Sequence, residues 1–151
     1  MSRPKELQDL VEAYREAGQP WPASSETMAE WAIRNRRWQP SPQATMGLLA
    51  SQISEALREE YWTDPKGRRA RTKHPVRKME DGRQTVLWDD LRTAPREHME
   101  MTFQQRRGLI VADCRQLKTD VDSFNDFGQT EGRPIVVQLD FRLDVEELEA
   151  V

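Results

Sequence analysis

Leu7, Leu10, Val11 and Tyr14 recur at the i, i+3, i+4, i+7 spacing of an amphipathic helix, and Gly18 is placed to stop it. Gln19-Pro20-Trp21-Pro22 then reads as a linker. A second helix is expected from Ser24 or Ser25, whose hydroxyl can accept an orphan N–H. Met28, Trp31 and Ala32 form its inner face, and Asn35-Arg36-Arg37 ends it. The third has Ser41 as N-cap and Pro42 in its first position. It runs to about Tyr61, with Met46, Leu49, Ala50, Ile53 and Leu57 inward.

Asp64-Pro65-Lys66-Gly67 is a turn signal, and the Arg/Lys-rich run that follows is separated by Asp81-Gly82 from Thr85-Val86-Leu87-Trp88. An Asp-Gly pair between such runs predicts a hairpin over residues 68–88. Thr93 is a candidate cap for the next helix, with Pro95 in its first turn. From about Ala94 to Phe124, apolar residues Phe103, Ile110, Cys114, Leu117, Val121 and Phe124 form a heptad seam interrupted by Arg107. A helix of that size is roughly 45 Å long, and the helix formed around Leu7–Tyr14 reaches only ~20 Å along it. The distal seam is therefore expected to pair with a second copy, most simply antiparallel. Beyond Gly128, Val137, Leu139, Phe141, Leu143 and Val145 alternate with polar residues, which predicts a strand, and Glu146-Glu147-Leu148-Glu149 reads as an acidic tail.

The expected fold class is mainly α with a small β component. Its organisation is an N-terminal helix and linker (1–23), a three-helix and basic-hairpin unit (24–88), a long amphipathic helix (89–127) and a C-terminal strand with acidic tail (128–151). Composition refines this picture. The 151 residues carry 23 Lys+Arg against 26 Asp+Glu, with 36% hydrophobic and 32% charged residues, so a modest core with solvated elements is expected. No run approaches the ~20 apolar residues that cross a bilayer, and the polar start is unlike a signal peptide, which together favour a cytoplasmic protein away from membranes. Cys114, the one cysteine, cannot form an internal disulfide and is expected to pack as a small hydrophobe; no zinc-ligand spacing accompanies it.

Charge is segregated. Residues 66–83 hold eight cations against two acids, +6 in a chain of net −3. On a hairpin strand, alternate side chains share a face, so Arg69, Arg71 and Lys73 are expected to point together at a phosphate backbone while Ala70 and Thr72 face inward. A charged face kept soluble, or one that meets an acidic protein surface or this chain's own acidic tail, would need the same residues.

Helix, helix, helix, basic hairpin, in that order over residues 24–88, resembles the winged helix-turn-helix family. Ser25 to Ala32 corresponds to its first motif helix and Ser41 to Tyr61 to its recognition helix. The resemblance implies Gln43, Thr45 and Gln52 at base edges and Arg69, Arg71 and Lys73 on phosphates. Arg58 is the only basic residue from Pro42 to Tyr61, so Arg34, Arg36, Arg37 and the wing, with Arg68, Arg77 and Lys78, would carry much of the contact. The five tryptophans, which could stack bases, flank helix ends and the hairpin base and are read as core closures.

No phosphate loop, nucleophile elbow or paired-histidine motif accompanies His74 and His98, which are read as surface histidines beside surface acids. Asp120-Val121-Asp122 lacks the glycine of a calcium loop, since Asn125 falls at that position. The sequence therefore points to a non-catalytic regulator or accessory factor without metal or cofactor. Double-stranded DNA and a second copy are its expected partners, within a larger complex where one exists. The alternative is a protein-interaction adaptor built on the same scaffold.

Overall fold

The computed structural model describes residues 3–128 and 132–150. The chain is mainly helical with a small β component: α1 (Arg3–Glu16), α2 (Ser25–Arg34), α3 (Pro42–Arg58), β1 (Tyr61–Thr63), β2 (Arg69–Arg71), β3 (Lys73–Glu80), β4 (Arg83–Asp90), α4 (Arg96–Phe127) and α5 (Arg142–Glu149). It divides into two compact units, Met1–Glu55 and Ala56–Val151.

In the first unit, Gly18 at φ +72° donates its N–H to the Arg15 carbonyl and turns the chain out of α1. Ser24 caps α2, its Oγ accepting the Thr27 N–H at 3.1 Å. The core between α1 and α2 is aromatic. Tyr14 is buried, donates its hydroxyl to the Pro20 carbonyl at 2.7 Å, and meets Trp31 edge-on at 5.5 Å, with Ala32 buried on the same α2 face.

Ser41 caps α3 as its sequence predicts, accepting the Ala44 N–H at 3.0 Å. The inward face expected of α3 is not found. Met46 is 73% exposed, Leu49 57% and Ile53 51%; Ala50 is exposed, Leu57 half-buried, and no α3 residue is buried. Periodicity reports that a helix has an apolar side, and it carries no information about what covers that side.

In the second unit, the single hairpin expected over 68–88 is two. Antiparallel β1 and β2 pair Tyr61 with Arg71 and Thr63 with Arg69, around the Asp64-Pro65-Lys66-Gly67 turn. The β3–β4 hairpin pairs Lys73 with Asp90 and Glu80 with Arg83. Asp81 and Gly82 both take positive φ, 49° and 76°, as a two-residue turn matched to strand twist requires. The basic run changes partners at buried Thr72, whose N–H goes to the Glu60 carbonyl and whose carbonyl accepts from Leu91.

Helix α4 begins one residue after Pro95, and Thr93 does not cap it; Thr93 and Ala94 instead donate their N–H groups to the Asp90 carbonyl, closing the turn out of β4. At 32 residues it is ~48 Å long. Its first turns lie along β3 and serve the strand edge that β4 leaves open. His98 Nε2 donates to the His74 carbonyl at 3.0 Å and Thr102 Oγ1 to the Pro75 carbonyl at 2.6 Å. The Gln105 amide then takes both backbone groups of Arg77, accepting its N–H at 2.8 Å and donating to its carbonyl at 2.9 Å. These three helix positions share a face at i, i+4, i+7.

The strand expected over 137–145 is also replaced. Residues 134–141 form neither strand nor helix, and α5 begins at Arg142. Ile135, Val137 and Leu139 line a common hollow with Val121 and Asn125 of α4. The Asn125 amide grips both backbone groups of Ile135, at 2.8 and 2.9 Å. The distal seam therefore carries the chain's own C-terminal segment, and Phe141 shares a hollow with Ile110, Cys114 and Leu117. Cover is partial: Ile110 remains 54%, Phe103 48%, Phe124 44% and Leu117 41% exposed, while Cys114 and Val121 are half-buried.

Candidate nucleic-acid interface

The residues singled out for nucleic-acid contact fall in both compact units. In the first, Arg34 pairs with Glu30, Arg36 occupies the corner after α2 at φ +55°, and the Arg37 guanidinium stands 5.7 Å from the Trp31 ring centroid. Gln43, Thr45 and Gln52 are exposed on α3, the Thr45 hydroxyl donating back to the Ser41 carbonyl at 3.1 Å.

In the second unit, much of the basic run is engaged within the fold. Asp64 accepts the N–H groups of Lys66 and Arg68 on one oxygen and Arg68 Nε, at 2.7 Å, on the other. The Arg68 backbone bond foremost holds this carboxyl below the usual range. Arg69 lies 3.9 Å over the Tyr61 ring. Lys73 bonds Asp90 at 3.0 Å and Glu60 at 3.1 Å, which raises its pKa, Asp90 contributing most. Asp90 in turn is held far below the carboxylate range, chiefly by the Arg92 side chain and N–H and then by Lys73. Of the row expected, Arg69 and Arg71 are alternate residues of β2, and Lys73 opens β3 inside an ion-pair network that engages its charge within the fold. The observed β3–β4 hairpin, residues 73–90, carries four cations and four acids and is balanced.

What remains is a different grouping. Arg71, Arg77, Lys78 and Arg106 are among the cations of the second unit, Lys66, Arg69, Arg83 and Arg107 included, that take part in no ion pair with the described residues. The Arg71 carbonyl accepts the His74 ring at 2.8 Å, Gln105 holds Arg77, and Arg106 follows Gln105. Arg71 and Arg106 both lie near enough to His74 for their charges to act on it, and Arg77 is fastened by its backbone to Gln105, the residue before Arg106. His74 is buried, edge-on to Phe103 at 5.6 Å, and is not the surface histidine expected. Burial first, then the charges of Arg106, Arg71 and His98, pushes its pKa down.

Sequence reasoning missed Arg106, because α4 packing supplies it from far outside the basic run. The 3-4-spaced polar residues His98, Thr102 and Gln105 were the available signal that one α4 face meets a polar edge. Charge follows this geometry. Residues 56–112 hold thirteen cations against nine acids, and residues 113–151 four against ten.

No helix of the described residues is long and apolar enough to cross a membrane. No protein-family model matches the chain, and no curated protein or solved structure is significantly similar to it. The order of three helices followed by hairpins is compatible with a winged-helix-like arrangement.

Proposed function

We propose that the protein binds nucleic acid without catalysis, gripping the sugar-phosphate backbone through Arg71, Arg77 and Arg106. The observation that carries this reading is that three arginines without ion-pair partners are supplied by three elements that the Arg71–His74 and Gln105–Arg77 bonds tie together. Guanidinium forks suit phosphate oxygens, and each backbone contact releases condensed counterions. Lys78, exposed on β3, would extend the phosphate contact. Titration of a labelled duplex over a salt series tests it. The R71A/R77A/R106A variant is expected to lose about 0.9 of log–log salt slope per arginine. An unchanged slope and affinity would remove the proposal.

A specific observation favours a second reading, docking of a protein partner or a second copy on α3. Residues 42–54 contain no charged side chain, yet this helix buries nothing. Beside it lies a groove of about 530 Å³ lined by Trp38, Ala44, Gly47 and Leu48. A contiguous apolar face of this kind is costly to leave in water and is characteristic of interaction surfaces.

A further inference from the structure

The C-terminal helix α5 is the most acidic element of the second unit and has no partner there. Arg142 neutralises Asp140 at 2.7 Å, while Asp144, Glu146, Glu147 and Glu149 appear in no ion pair among the described residues. Its apolar positions are exposed as well, Leu143 at 73%, Val145 at 51% and Leu148 at 77%. The segment before it is anchored: Asn125 holds Ile135, and Phe141 seats against Ile110, Cys114 and Leu117. This path runs back along α4 toward its N-terminal half. Arg106 lies four residues before Ile110, on the same face and about 6 Å further along the axis. An eight-residue helix spans ~12 Å from its anchor. The unpaired carboxylates are therefore tethered within reach of the unpaired arginines.

We propose that α5 closes over Arg106 and Arg77 as a built-in competitor of the phosphate backbone. The carboxylates of Asp144, Glu146, Glu147 and Glu149 take the arginines that nucleic acid would otherwise occupy, and binding requires their displacement. Closure stands on the geometry of the second unit alone; its regulatory consequence rests on the nucleic-acid reading. Tethering makes the competition intramolecular, so dilution does not weaken it and salt does.

Two measurements separate these parts. In a C114S/A150C full-length chain carrying a nitroxide at position 150, the amide signals of Arg77 and Arg106 are expected to broaden at low salt. They are expected to recover near 1 M salt, where the Debye length falls to ~3 Å. Broadening that is absent at low salt, or that is unchanged near 1 M salt, overturns closure. In duplex titrations at low salt, D144N/E146Q/E147Q/E149Q is expected to bind about tenfold tighter than wild type. Equal affinity overturns the competitor role. If neither protein binds duplex while the broadening persists, closure stands and the nucleic-acid reading falls.

Discussion

His74 is buried with its ring packed against Phe103, which favours the neutral form and outweighs the bond from Nε2–H to the Arg71 carbonyl, which favours the cation. Protonation there would place a cation, largely desolvated, beside Arg106 and Arg71. Because the folded pKa is depressed, the unfolded chain binds the proton more readily. This contribution to stability is therefore complete above the ordinary histidine value, about 6.5, and is lost as pH falls toward the lower folded value. Melting temperature is expected to fall between pH 7.5 and 5.5 in wild type and to change less in His74→Gln; equal pH profiles would show that His74 does not titrate in this way. The burial was partly legible, since Thr72, His74 and Val76 alternate into the core. The surrounding charges drew the reading outward, and a count of charges does not distinguish a cation facing solvent from one, like Lys73, held between Asp90 and Glu60.

At the scale of elements, α4 substitutes side chains for a missing strand. An open β-edge otherwise exposes a row of unpaired backbone groups, and His98, Thr102 and Gln105 cover part of that row. Thr102→Val preserves shape and leaves the Pro75 carbonyl without its partner, so it is expected to cost about 1–3 kcal/mol in urea unfolding. Gln105→Leu should also speed exchange of the Arg77 amide, and protection equal to wild type would show that the amide bond contributes nothing there. The seam spacing located α4 to within three residues at its C-terminus, because a long periodic pattern identifies a helix on its own. The tail was misread for a physical reason. Val137 and Leu139 alternate in an irregular segment that lines a hollow along α4, while Phe141, Val145 and Leu148 already carry the i, i+4, i+7 spacing of α5. Period-2 alternation reports one covered side and does not require a neighbouring strand.

Across the whole molecule, the fold class was legible and the candidate site was not. The basic run holds Arg71 and Arg77, but tertiary packing adds Arg106 and withdraws Arg68 and Lys73. The uncharged α3 face makes a prediction about assembly. Light scattering at micromolar concentration is expected to give a mass above the single-chain 17.7 kDa, and Leu49→Asp is expected to lower it while thermal unfolding stays cooperative, since Leu49 is more than half exposed. A wild-type mass equal to one chain would defeat that expectation.

The two side-chain amides of α4 have a consequence for how this chain can change in length. Gln105 fastens the hairpin and Asn125 the C-terminal segment, twenty residues or ~30 Å apart on one helix. A single inserted residue between them would swing one attachment about 100° around the axis relative to the other, directing the segment away from its seat. Seven inserted residues restore the original orientation of one amide relative to the other to within about 20°. Natural length variation between positions 105 and 125 should therefore come in steps of about seven, a whole-heptad rule imposed by two amides and independent of any coiled-coil partner.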